Sequence, residues 1–407
     1  MPGTTYPAFV FPFPYVTDWK PTTRADLKIP NDWNTETHGI LSASSDNTEN
    51  ATWLCFHTRN NHYIGSGHHH ADIGMFYFSG LGVNWITESP SPKAYSGRYH
   101  NEIIIDGKAE SEGPAARGDY IGENLQPMGA FSSENMTYSY TYQWCTQVGM
   151  KWGEGFSTID SSVAKDGWEL ETRPDNFKYF VGTTHYKMRY WWPSYNYSNY
   201  VPTLRALWNP VEYVYRSAGL IKGTHSYSII VDDAKKDANQ HLYQWTAMTA
   251  KGVWKADYKN VPKGALVLGY DDKLVKQWDK GTDVVPLSPN KGDALLLVYS
   301  IANDNEENNV LVEDVKEGKT MTVGNFASSI GSYNRLAINR NTVKANFKVL
   351  LIPFRYGEEL PAVSTVANKT TITWKDGQQD VLDFAVDATN RTKVVVTRDG
   401  KEVVETK

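Results

Sequence analysis

The chain predicts an all-β fold, a large layered antiparallel β-sandwich with a small C-terminal β-sheet domain. Three observations point there: apolar residues recur at every second position, the runs that show this are rich in Val, Ile, Thr, Tyr and Phe, and patterns of helical period are nearly absent. In order, the strand-like runs are Gly74-Met-Phe-Tyr-Phe-Ser, Glu102-Ile-Ile-Ile-Asp, Thr137-Tyr-Ser-Tyr-Thr-Tyr-Gln-Trp, Tyr227-Ser-Ile-Ile-Val-Asp, Ala294-Leu-Leu-Leu-Val-Tyr and Phe347-Lys-Val-Leu-Leu-Ile-Pro. Between them lie Gly, Pro, Asn and Asp turns; Asp106-Gly107, Asp376-Gly377 and Asp399-Gly400 supply the positive φ angles that tight hairpins need. Near Gly357-Glu-Glu-Leu-Pro361 an apolar strand gives way to a polar, Pro-containing connector, which sets expected domains at residues 1-360 and 361-407. The second reads as three strand-like pieces, Thr370-Thr-Ile-Thr-Trp-Lys-Asp-Gly, Asp380-Val-Leu-Asp-Phe and Lys393-Val-Val-Val-Thr-Arg-Asp-Gly.

With 407 residues, 40% of them hydrophobic, the chain can bury a large core. A net charge of -5, from 46 acidic against 41 basic residues, gives no electrostatic reason to expect nucleic acid or an anionic membrane as partner. An acidic polymer would need a local basic patch. Two cysteines, Cys55 and Cys145, are too few for a disulfide scaffold and allow either one bridge or two buried thiols. The opening segment lacks a cationic stretch followed by an apolar run, so it reads as no secretory signal, and no apolar run is long enough to span a bilayer. Aromatic residues make up 13% of the chain. Most rings fill sheets well, but rings on loops can pack against the apolar C–H face of a sugar.

Six of the ten histidines fall between His57 and His100. The segment Gly65-Ser-Gly-His68-His69-His70-Ala71-Asp72, if extended, places His68, His70 and Asp72 on one face, because side chains two apart share a face of a strand. Adjacent antiparallel strands could then bring His70, Glu88 and His100 together. Two imidazoles and a carboxylate suit zinc, with water as a fourth ligand. The competing readings are unrelated surface histidines or an artificial tag, and an internal run leading into an apolar strand argues against the tag.

The order Gly67-His68-His69-His70-Ala71-Asp72, aromatic strand, Glu88, Tyr95, then His100-Asn101-Glu-Ile-Ile-Ile-Asp106-Gly107 resembles the signature of heparinase II/III-like polysaccharide lyases. That signature runs His-x-His-Ala-Asp, strand, Asp-x-Gly, Tyr, His-Asn-Thr, apolar strand, Asp-Gly. Weaker likeness continues through Tyr227-Ser-Ile-Ile-Val-Asp232-Asp233 with His241, and through Leu351-Ile-Pro-Phe-Arg-Tyr-Gly. The resemblance implies cleavage of uronate-containing glycans such as alginate, glucuronan or heparan-type polymers, and a periplasmic or extracellular setting. Carried over, His68 is similar to the active-site histidine of the sheet domain and Tyr95 to the sheet tyrosine near substrate. His70, Glu88 and His100 are similar to the ligands of a structural zinc. Glu88 stands where the family has Asp, and Ser89-Pro90 replaces its glycine context, so Asp72 rivals Glu88 as the carboxylate ligand.

β-Elimination must neutralise the C5 carboxylate, remove the C5 proton and protonate the departing O4. His68 and Tyr95 are chemically suited to the proton transfers, and Arg98 and Tyr99 to substrate contact. For each tyrosine, ordinary strand packing is the alternative. The tract Tyr186-Lys-Met-Arg189-Tyr190-Trp191-Trp192-Pro193 reads as entering a loop, which makes Arg189, Trp191 and Trp192 candidates for the border of a glycan groove. The family's members place a helical α/α toroid ahead of the sheets. No succession of amphipathic helices precedes the signature here, so the expected partners are an acidic polysaccharide and a helical domain or partner chain. The competing expectation is a carbohydrate-binding or structural β-protein that performs no chemistry. A metal-dependent hydrolase is a third, and it would need an open coordination position beside a general base.

Overall fold

A computed structural model describes residues 26–35, 39–58, 72–88, 100–110, 118–140, 142–147, 178–186, 201–209, 211–250, 252–273, 287–302, 310–314, 319–321 and 334–407. The chain divides into two units, Met1–Pro30 and Asn31–Lys407, and every described strand belongs to the second. Among the described residues, no helix is long and apolar enough to cross a membrane.

The first sheet is a five-stranded antiparallel meander: β1 (Asp32–Thr35), β2 (Ile40–Ser44), β3 (Trp53–His57), β4 (Phe76–Gly80) and β5 (Val83–Ile86). Its alternation is legible residue by residue. In β4, Phe76, Phe78 and Gly80 are buried while Tyr77 and Ser79 stay half-exposed on the opposite face. Leu81 and Gly82, with φ of 56° and 80°, make the tight turn into β5, which twists with the strands it joins. Glycine is required next door for another reason. Gly74 has φ of 72°, and a β-carbon there would lie 2.4 Å from the sulfur of Met136.

The central sheet has eight strands in the order Val253–Lys255, Ala265–Tyr270, Ala294–Ser300, Lys344–Arg355, Tyr227–Lys235, Tyr213–Ile221, Gly129–Asn135 and Asp119–Gln126. Neighbouring residues of one strand enter different cores. Leu296 and Val298 join the core shared with the first sheet, whereas Leu295 and Leu297 join the core on the far side. Burial on both faces explains why Leu295-Leu-Leu-Val298 is continuously apolar rather than alternating. On the first side the core also takes in β6 (Ile103–Ile105) and the strands His241–Met248 and Asn334–Thr342, whose Trp245 and Ile338 are fully buried. Truncating a ring such as Trp245 in that setting costs about 3–5 kcal/mol.

The far face packs against the C-terminal sheet. It has five strands, Ala362–Val366, Lys369–Thr373, Gln379–Val386, Thr392–Arg398 and Lys401–Glu405, where the sequence reads as three. The outer two are short and polar, so they carry little apolar period. Buried Asp380 ties this sheet to the centre. It accepts from Arg398 Nε at 2.7 Å, from an Arg398 terminal nitrogen at 2.8 Å and from the Tyr227 hydroxyl at 3.1 Å.

The structure corrects one strand. The first half of Thr137-Tyr-Ser-Tyr-Thr-Tyr-Gln-Trp is a 3-10 turn over Thr137–Tyr140, and the strand begins only at Tyr142. Asn135 Oδ1 accepts from the backbone N–H of Thr137 at 3.0 Å, and the Ser139 N–H donates to Met136 O at 2.9 Å. These bonds satisfy the backbone locally, which outweighs the alternating rings. Among the three expected turns, Asp106-Gly107 and Asp399-Gly400 have positive φ at both residues, whereas at Asp376-Gly377 only the glycine does.

Candidate functional site

The described part of the candidate site lies where the outer face of the first sheet meets the segment entering β6. His68, His70, Tyr95, Arg98, Tyr99, Arg189, Trp191 and Trp192 fall outside the described residues. Glu88, His100 and Asp72 fall within them.

His100 is fully buried, and its Nδ1 lies 3.8 Å from Glu88 Oε1. Glu88 sits two residues beyond β5 with its side chain 31% exposed, so one end of the pair reaches solvent. Asp72 stands at the same 3.8 Å from a different imidazole, His57 Nδ1. Tyr77 joins the two pairs. Its hydroxyl donates to Glu88 Oε2 at 3.2 Å, and its ring centre lies 5.6 Å from that of His57. Pairing of β3 with β4 places Tyr77 opposite Cys55, two residues from His57 on the same face, which is why the rings meet. Burial, and then the Glu88 charge, push the Tyr77 phenol well above its ordinary range, so it stays a donor. Cys55 is a free thiol, pushed up to about 11 by burial.

Beneath this surface, the Asn101 side chain joins three segments. Its Nδ2 donates to Phe76 O of β4 at 2.6 Å and to Thr87 O after β5 at 3.3 Å, and its Oδ1 accepts from Met248 N at 2.5 Å. Arg216 is also fully buried. It donates to Asp232 Oδ1 at 2.6 Å, to Gly74 O at 2.7 Å and to Asn101 O at 2.5 Å, and its guanidinium lies 5.4 Å from the Phe76 ring centre. Glu102 and Glu110 are buried beside it, the Glu110 N–H donating to Glu102 Oε2 at 3.2 Å. Burial and then mutual repulsion raise the Glu102 carboxyl well above its usual range; burial and then Asp72 do the same for Glu110. The floor of the site is therefore built around one buried cation and acids that favour their neutral form.

The described residues supply two of the donors that a zinc site needs. Two ligands at zinc bond lengths in a tetrahedral arrangement sit about 3.4 Å apart, and the Glu88–His100 separation of 3.8 Å is within a few tenths of that. Among the described residues no group of three metal-binding side chains is assembled; His70 lies outside them.

Sequence reasoning passed over His57, Tyr77, Asn101 as a clamp, and Arg216. The available signals were the position of His57 at the edge of the histidine cluster and a lone Arg216 among small and apolar residues in Tyr213–Ile221.

No family model and no curated relative matches the chain. Its neighbours among solved structures include heparinase structures. Heparan sulfate lyase HepC from Pedobacter heparinus is 12% identical with a TM-score of 0.47, covering 92% of this chain and 42% of that one. A heparinase III structure is 10% identical with a TM-score of 0.46, over 92% and 42% respectively. The chain thus spans about two fifths of the length of these structures, at 42%.

Proposed function

We propose that this chain supplies the sheet wall of a lyase site that cleaves a uronate-containing acidic polysaccharide of alginate, glucuronan or glycosaminoglycan type by β-elimination. The observation that supports the placing of the site is the Glu88–His100 pair at 3.8 Å, formed by the two described members of the motif's three ligand positions; the chemistry is assigned to His68 and Tyr95 on the resemblance of the motif around them. His70, Glu88 and His100 would hold zinc, which when bound cross-links the segments around β4 to β6 and stabilises the fold.

In the proposed reaction the C5 proton leaves, the C4–O4 bond breaks with its electron pair going to O4, a C4=C5 double bond forms, and O4 takes up a proton. His68 and Tyr95 are assigned to proton transfer and carboxylate neutralisation. Arg98, Tyr99, Arg189, Trp191 and Trp192 are assigned to the glycan, and a helical domain or partner chain to the opposite wall.

The unsaturated product absorbs in the ultraviolet, so turnover is followed directly on each polymer. The expected result is no appreciable absorbance rise with this chain alone, turnover once a cognate helical domain is supplied, and a loss of about a hundredfold or more in His68→Ala with zinc content unchanged. Glycan binding without turnover, even with the helical domain present, would overturn the catalytic reading in favour of a carbohydrate-binding β-protein.

A further inference from the structure

We propose that the outer face of the first sheet is a glycan-binding track, on which Trp33 and Trp53 stack against sugar rings lying beyond the reacting bond. The track rests on the proposed lyase reading and extends it along the polymer. Strand register puts Trp33 of β1, Ser42 of β2, Cys55 of β3 and Tyr77 of β4 in one row across the sheet. Their chain neighbours face the other way. Leu41, Ala43, Leu54, Phe56, Phe76 and Phe78 are fully buried in the core shared with the central sheet, so the row stands on the outer side. Trp33 is 42% exposed there, while Trp85, Trp245 and Trp254 are buried, so its ring serves no core. Trp53 is half-buried on the same face, and its indole N–H donates to Ser42 Oγ at 3.0 Å, which leans the ring across the sheet toward the row. Ser42 keeps its own O–H to give to a sugar oxygen. At the far end of the row the Tyr77 hydroxyl, 3.2 Å from Glu88 Oε2, meets the candidate site. From Trp33 to Tyr77 there are three strand spacings, about 14 Å, a length that a short run of linked sugars spans. Flat rings pack on the apolar C–H faces of such sugars. Stacking of this kind, unlike ion pairs with an acidic polymer, weakens little with added salt.

Trp33→Ala removes the ring and Trp33→Tyr keeps a flat one. Both are compared with the parent, as the full chain, by calorimetric titration with disaccharides and hexasaccharides prepared from alginate, glucuronan and heparan sulfate. The expected result is that the parent binds at least one of the hexasaccharides, and that Trp33→Ala weakens this binding by about three- to tenfold at low and high salt alike. Trp33→Tyr should keep most of the affinity. A disaccharide, too short to reach Trp33 from the candidate site, should not distinguish the variants from the parent. Equal hexasaccharide affinity in Trp33→Ala and the parent would overturn the track while leaving the lyase reading standing, and so would an equal loss for both lengths or binding that added salt abolishes. A parent that binds no hexasaccharide also overturns the track, and turnover with the helical domain then decides the lyase reading by itself. Should Trp33→Ala melt early, Trp33→Leu takes its place as an apolar side chain without a flat face, and equal weakening in the Leu and Tyr variants overturns the proposal.

Discussion

Asn101→Ala is the sharpest test of how the site is held together. The Asn101 side chain is buried and makes three hydrogen bonds, to Phe76 O at 2.6 Å, to Thr87 O at 3.3 Å and from Met248 N at 2.5 Å. At about 1 kcal/mol net for each bond the loss is about 3 kcal/mol, rising toward about 5 kcal/mol where a buried group such as the Met248 N–H is left without this acceptor. Set against a total stability of about 5–15 kcal/mol, that is a large fraction. Urea unfolding followed by tryptophan fluorescence reads it as a lower midpoint at unchanged slope. Asn101→Asp adds a discriminating arm. It keeps an acceptor for Met248 N but turns the donor toward Phe76 O and Thr87 O into a carboxylate oxygen, so it should cost at least as much. A loss below about 1 kcal/mol in Asn101→Ala would refute the clamp, because two buried bonds and a part-buried one cannot be worth so little.

Two further outcomes follow from the buried charges. Arg216→Met leaves Asp232 fully buried without its guanidinium and should cost about 3–5 kcal/mol; a fall in melting temperature under about 2 °C would contradict it. Asp233 is raised to about 6 by burial, against hydrogen bonds from Thr392 and Asn346 that pull the other way. Its folded form therefore holds the proton more tightly than the unfolded chain, so its contribution to stability is fullest below pH 4 and is lost as pH rises toward 6. That loss amounts to roughly 3 kcal/mol, and the stability difference between the parent and Asp233→Asn should shift across this window. A difference that stays flat from pH 4 to 7 would rule it out.

How much of this was legible in the sequence depends on whether a residue answers to its neighbours in the chain or to segments far away. The period-two pattern of Phe76-Tyr-Phe-Ser and the continuous run Leu295-Leu-Leu-Val298 predict strands because burial on one face or two is written locally. The 3-10 turn at Thr137–Tyr140 was not legible, since Asn135 and Met136 redirect the backbone before the alternating rings begin. Arg216 was missed for a different reason. Two of its partners, Gly74 O and Asn101 O, lie 142 and 115 residues away, and no spacing rule reaches them.

The same distinction weighs the motif itself. In the pair His100-Asn101, the asparagine closes β4, the end of β5 and the strand at Met248 onto one point, and that work is structural. An asparagine at this place is required by the seam between the sheets whether or not the protein performs chemistry, and on the proposed zinc reading the Glu88–His100 pair would brace that seam in either case. Likeness at residues 100 to 107 therefore reports on how the sheets close. The catalytic reading depends instead on His68 and Tyr95, which the clamp does not explain, and the contrast can be measured. Asn101→Ala should lower stability and glycan affinity together, through loss of the folded population. His68→Ala should leave stability in place and remove only turnover in the assembled enzyme. If His68→Ala proves as destabilising as Asn101→Ala, the histidine belongs to the seam as well, and the signature would then describe a way of closing sheets rather than a reaction.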